Sequence, residues 1–315
     1  MIRLPLPVPT LTTKWGMMLL IVCSSYFGQA QDSLRLSFFE PSDRFRPDRA
    51  RMVMIGTGTA YAGGMGLLYG AWYRDYAQSG FHFFDDREEW LMMDKVGHAG
   101  SAYTLSRWAG EMVAWSGVDR KRAALAGAGM GMLFLSTVEV FDGFSDAWGF
   151  SVTDMIANTA GAGLYLGQEL GWGEQRIQFK FSYSRDPLAQ VRPDVFGSSL
   201  AENVLKDYNG QTYWLSFNLK SLGVHQGIPD WLNLAVGYGA GGMLTAVSGE
   251  SFDGGNDPGG RYRQFYLSPD IDWTRIPVRK PWQKTVLMIL GCIKLPAPAM
   301  EWRSDGRLVW HGLQF

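Results

Sequence analysis

Around Asp94–Gly161 the chain runs through three apolar, small-residue-rich segments: MDKVGHAGSAYTLSRWAGEMVAWSG, KRAALAGAGMGMLFLSTVEVFDGFSDAWG and FSVTDMIANTAGAGLYLG. Each carries polar residues at helical spacing. Asp94, His98 and Ser101 fall at i, i+4 and i+7, which places them on one helical face. Glu139 and Asp142 are an i, i+3 pair, and Asp154 and Asn158 an i, i+4 pair. Three apolar helices with one polar stripe each bury those stripes most simply against one another. The pattern therefore predicts a helical bundle that encloses a polar cluster.

The 315 residues leave room for two domains, and the formal charge of −1 gives no case for nucleic-acid binding. The 13 Trp and 39 Gly fit a chain that meets membranes or packs backbones closely.

Residues 1–30 read as an export signal. Lys14 supplies the positive flank, Trp15 to Cys23 a short apolar run, and Gly28-Gln29-Ala30 a small-x-small cleavage site. The alternative is a buried N-terminal helix. Acylation at Cys23 is the weaker reading, because Val22 is a poor residue before it. With the signal removed, Cys292 is the remaining cysteine, a small core residue with no intramolecular disulfide to form. Residues 31–50 read as a polar linker. Met52 to Tyr73 is uncharged and long enough to cross a bilayer, and its Gly66-x-x-x-Gly70 pair suits close helix approach. The alternative is a buried helix packed through its glycines. Residues 74–91, rich in charge and aromatics, suit an interfacial connector, with His82 in a packing role.

Within the three segments, Asp94 is placed to cap the first helix, and Ser151 with Asp154 forms a capping-box pattern. Arg107 and Glu111 are spaced as a solvated i, i+4 pair. Gly127, Gly129 and Gly131 thin the second helix, Gly143 ends it, and Gly161 and Gly163 lie inside the third.

After Gly173 the period changes. Gln175–Tyr183, Thr212–Leu219, Trp231–Met243 and Tyr262–Trp273 read as strands, with Asn209-Gly210 as a turn. Ser248 to Gly260 is a loop whose Asp253, Asn256 and Asp257 lack EF-hand spacing, so solvation outweighs calcium binding. Trp282–Ile293 reads as a helix stopped by Pro296 and Pro298. Arg307 to Phe315 alternates and ends on an aromatic residue, as outer-membrane β-proteins often do. The strands are too few and irregular to read as a full barrel. The fold class expected is α+β: a glycine-rich helical bundle over 51–173, membrane-embedded or fully buried, then a mixed strand and helix region over 174–315.

Asp94-Lys95-x-x-His98, Glu139-Val-Phe-Asp142-Gly-Phe-Ser145 and Ser151-x-x-Asp154-x-x-Ala157-Asn158-x-x-Gly161 together resemble the YfiM-like family, domain of unknown function 2279, of bacterial envelope proteins. The resemblance extends through RPDVFGS, LKDYNGQTYW and KLPAPAMEW and looks like the longer Bacteroidetes form. It implies an envelope location, inner or outer membrane undecided, and leaves function open. A more distant similarity to VanZ-like membrane proteins points to Asp94, Lys95, His98, Glu139, Asp154 and Asn158. Those proteins usually carry an Arg before the final helix, where this chain has Asp146-Ala-Trp-Gly-Phe.

Three roles are open to a cluster of Asp94, Lys95, His98, Glu139, Asp142, Ser145, Asp154 and Asn158. It can hold helices in register, with Lys95 as counter-charge to Asp94 or Asp154. It can bind a membrane lipid head group or an envelope glycan, with Lys95 and His98 facing an anion. It can serve an acid/base or metal-dependent hydrolase, with His98, Glu139, Asp142 and Asp154 as hard-metal ligands. No HExxH or GxSxG motif supports the last. Neither a particular cofactor nor an oligomeric state can be read from the sequence.

Overall fold

In the computed structural model, residues 37–74, 76–224, 227–252, 255–256 and 260–315 are described. The export signal with Cys23, and Asp253 and Asp257 of the glycine-rich loop, lie outside them. Helix α1 (Pro47–Leu68) begins within the stretch expected as linker, with proline in its first turn where a missing N–H is harmless. A π-helical turn, Tyr69–Tyr73, continues it. The expected span at Met52–Tyr73 is thus split between two elements, and its threonines and glycines lower its hydropathy. Among the described residues, the helix long and apolar enough to cross a bilayer is Arg120–Gly143, a third of whose most apolar window is buried. Among the described residues, no heavy atom lies within 4 Å of a Cβ built on Gly66 or Gly70, so that pair makes no close helix approach there.

Helices α2 (Met93–Trp115), α3 (Arg120–Gly143) and α4 (Val152–Gly171) pack pairwise. Asp119 caps α3 by accepting from the Lys121 and Arg122 amides, and Ser151 caps α4 by accepting from the Asp154 amide. Asp94 lies in the first turn of α2 without capping it, and Met92 is the residue before the helix. The helices meet backbone to backbone. A Cβ on Gly161 would stand 1.9 Å from the Ala99 carbonyl oxygen, and one on Gly127 2.4 Å from that of Ser106. Gly129 and Gly163, by contrast, face open space. Arg107 does not form the expected solvated pair. It is buried against the Tyr103 hydroxyl, while Glu111 pairs with Arg120 at 2.9 Å, which Glu169 also engages.

The second half is a six-stranded antiparallel sheet in the order β1-β2-β3-β6-β7-β8. Its members are β1 (Ile177–Tyr183), β2 (Gln211–Asn218), β3 (Leu232–Gly241), β6 (Tyr262–Ile271), β7 (Ala297–Arg303) and β8 (Leu308–Gln314). Two short helices, α5 (Pro193–Phe196) and α6 (Leu200–Lys206), separate β1 from β2. A minor hairpin of β4 (Ser251–Phe252) and β5 (Gly255–Asn256) separates β3 from β6, and α7 (Pro281–Leu290) precedes β7. The fold is therefore α+β, with seven α-helices among the described residues, most of them before the sheet.

Register makes the two faces of the sheet opposite in character. One row across it reads Phe179, Leu215, Val236, Leu267, Met300, Trp310, and the next Phe181, Tyr213, Tyr238, Phe265, Trp302, Leu308. On the other face Gln178 aligns with Ser216, Ala235 and Ser268, and Lys180 with Trp214, Gly237, Tyr266 and Glu301. This polar, small-residue face is the buried one. Lys180 Nζ reaches Asp270 Oδ2 at 2.7 Å, from β1 to β6 with two strands between them. In a flat sheet those strands would stand about 14 Å apart, so the sheet curls around its polar side. The apolar face near β1 and β2 packs under α2, where Phe179 joins Tyr103, Tyr165, Ala124 and Ala128 in the core.

Candidate functional site

Three consecutive non-glycine residues, Trp90, Leu91 and Met92, adopt left-handed φ values of 45°, 52° and 69° immediately before α2. Such residues cost of order 1 kcal/mol each and persist where their surroundings hold them. Here the Trp90 amide donates to the Ala246 carbonyl at 2.9 Å and the Tyr238 hydroxyl donates to the Leu91 carbonyl. The turn delivers Asp94, Lys95 and His98 to the side of α2 that faces α3 and α4. The connector before it lies along the end of α3 and the start of α4 through His82 N–H to Gly143 O and Phe84 N–H to Phe150 O. That placement brings in Asp86.

Lys95 Nζ is held by three carboxylates: Asp86 at 2.5 Å, Asp94 at 3.1 Å and Asp154 at 3.3 Å. Asp86 also accepts from the Ser151 and Thr153 hydroxyls, both at 2.8 Å. His98 Nδ1 lies 3.1 Å from Asn158 Oδ1 and 3.4 Å from Glu139 Oε1, and its Nε2 lies 3.7 Å from Asp94 Oδ1. Glu139 Oε2 accepts from the Ser151 amide at 3.2 Å. Tyr208, from the segment after α6, donates to Asp94 Oδ1 at 3.0 Å, and Tyr73 donates to Asp142 Oδ1 at 2.8 Å.

Seven of the eight residues expected in the cluster are thus drawn together. Ser145 stands apart: it is buried in the turn after α3, where its hydroxyl accepts from the Ala147 amide. Periodicity could not reveal Asp86, Glu89, Tyr73 or Tyr208, because none lies on one of the three stripes. The paired Asp85-Asp86 within a charged stretch was the one visible signal. The geometry also corrects the idea that Lys95 faces an anion. Three carboxylates already occupy its ammonium, and the surroundings carry excess negative charge.

That excess shows in the protonation behaviour. Burial raises Glu139 to about 8 and Asp142 to about 6. Glu89 rises to about 7 through burial and the neighbouring Asp86 charge. Asp154 is raised by burial and by the Asp94 charge. Asp86 is held at about 2 despite its burial, because Asp154, Lys95, Thr153 and Ser151 all hydrogen-bond to it. Glu139 Oε1 and Asp154 Oδ1 are buried and accept no well-aligned hydrogen bond, and their polar neighbours are His98 Nδ1 at 3.4 Å and Lys95 Nζ at 3.3 Å.

The cluster forms one end of a cavity of about 650 Å³. Asp86, Asp94, His98, Glu139, Asp142 and Asp154 line its polar part. Trp72, Trp90, Trp148, Phe134, Phe179 and Phe181 are among its apolar walls. One ligand atom each from Asp94, His98 and Asp154 lie within 4.8 Å of one another, a spacing that suits a metal ion.

A compact helical module that carries a carboxylate-rich pocket over a curled sheet is the class of structure defined so far. Residues 81–166 match the family described as a predicted periplasmic lipoprotein, DUF2279. The stretch that supplies most of the site is thus similar to that family, whose description is of an exported envelope protein. No curated protein and no solved structure matches the chain.

Proposed function

We propose that this is an exported, membrane-associated envelope protein whose cavity binds an amphiphilic envelope molecule, a lipid or a glycan, by a polar end rich in hydroxyl or amine donors. One observation carries the reading: a roomy, aromatic-walled cavity ends on a cluster of buried carboxylates. Asp86, Asp94 and Asp142 beside the Lys95 ammonium suit a ligand that donates. Apolar walls suit the acyl chain of a lipid or the C–H faces of a sugar.

The test is native mass spectrometry of the detergent-solubilised full chain. A co-purifying lipid or glycan should be present in the wild type and lost in Glu139→Ala while circular dichroism is unchanged. If the wild type carries no adduct and Glu139→Ala only lowers the melting temperature, the network serves to hold the helices together.

A second reading, an acid/base or metal-dependent hydrolase acting on such a molecule, draws on the separation between Asp86 at about 2 and Glu139 at about 8, with His98 beside Glu139. Stoichiometric zinc, manganese or iron in the purified protein, lost in His98→Ala, would favour it.

A further inference from the structure

The sheet is inverted relative to that of a water-soluble protein. Its enclosed side holds the Lys180–Asp270 ion pair, to which the Ser216 hydroxyl adds a 2.6 Å hydrogen bond and Lys294 a longer contact of 3.9 Å. Further along the same side Glu301 binds Arg303 and His311. The side turned outward carries the two apolar rows. Those rows begin beneath α2 and, past β2, emerge uncovered. Val236, Leu267 and Met300 are each more than two-fifths exposed, and Trp302 and Trp310 are 64% and 71% exposed.

We propose that this uncovered outer face, from β3 to β8, lies against the acyl chains of a lipid bilayer. Four observations select that occupant. Side chains alternate mostly polar or small inward and apolar outward along the strands, the pattern of strands that face hydrocarbon. The face is the outer surface of a curled sheet, and two such convex surfaces touch each other only along a line, which disfavours a second copy. The apolar rows continue an interface that already exists: Phe179 and Leu215 of the same row pack against the helices. Exposed apolar residues also occur on α7, at Trp282, Val286 and Ile289, so the apolar surface is larger than the sheet face alone. Trp302 and Trp310 supply the large aromatic residues found along such bands.

The experiment is fluorescence of the full chain in phosphatidylcholine vesicles whose acyl chains are brominated. Bromine quenches only indoles that reach the hydrocarbon layer. Wild type should float with the vesicles and be quenched. Trp302→Phe with Trp310→Phe, both at exposed positions that tolerate the change, should lose part of the quenchable emission and keep the far-ultraviolet spectrum. An unchanged quenched fraction in the double variant overturns the proposal. So does failure to float, or a detergent-free dimer in which these two tryptophans are shielded from bromine and acrylamide alike.

Discussion

Lys95 Nζ sits 2.5 Å from Asp86 Oδ2, which ties the connector before α2 to the helix that carries the site. The ammonium is buried and is the main positive charge facing Asp86, Asp94 and Asp154. Its removal leaves three buried carboxylates without their partner. Lys95→Met should cost about 3–5 kcal/mol, the range for breaking a buried ion pair from one side. Chemical denaturation of the variant beside wild type measures it. A loss below about 1 kcal/mol would mean that water reaches these acids freely.

Stability should decline as pH rises through the weakly acidic range. Asp142 titrates near 3.8 in an unfolded chain and near 6 in the fold, raised by burial, with Tyr73 as its hydrogen-bond donor and His98, Asp94 and Asp86 as charged neighbours. The folded state holds this proton more tightly, so the contribution is present below about pH 3.8 and lost by about pH 6. Asp142→Asn removes the titrating group. The melting temperature of the variant should fall less between pH 4 and 6 than that of wild type.

Gly161 and Gly163 provide a matched pair on one helix. A side chain at Gly161 meets the Ala99 carbonyl at 1.9 Å, whereas one at Gly163 meets open space. Gly161→Ala should destabilise by about 3 kcal/mol through forced separation of α2 and α4. Gly163→Ala should be neutral or stabilise by up to about 1 kcal/mol, from helix propensity alone. Equal melting temperatures for the two variants would refute the close approach.

Lys180→Met leaves Asp270 buried with Lys294, 3.9 Å away, as its cationic neighbour among the described residues. A cost of about 3–5 kcal/mol follows if the interior of the sheet is as closed as its burial indicates. Lys180→Met combined with Asp270→Leu should recover most of it, because an apolar pair of similar volume replaces both charges. Thermal melts of the two variants and wild type give the comparison.

Helical spacing revealed the three packed helices and six members of the cluster, since Asp94/His98, Glu139/Asp142 and Asp154/Asn158 each share a helix face, and Lys95 entered through the Asp94-Lys95-x-x-His98 resemblance. Local alternation likewise revealed five of the six strands of the main sheet, from Gln175–Tyr183 to Arg307–Phe315, and missed β7, whose Pro298 reads as a helix stop. What the sequence did not reveal depends on long-range placement. Asp86 enters through a connector with no period, and Tyr208 arrives from a segment 114 residues beyond Asp94. The inverted faces of the sheet escaped for a related reason. Alternation shows that two faces differ but not which is enclosed, and only register across six strands groups Val236 with Trp310 and Lys180 with Glu301.

The contact between Lys180 and the β6 end also bears on how the chain assembles. Lys180 donates to the Ile271 carbonyl across 91 residues of sequence, so the charged interior cannot be satisfied until nearly the whole second half has been made. Loop closure of that length is slow, whereas the helices form from near neighbours. The helical trio should therefore appear early and the sheet close late, with Lys180 and Asp270 as the latch.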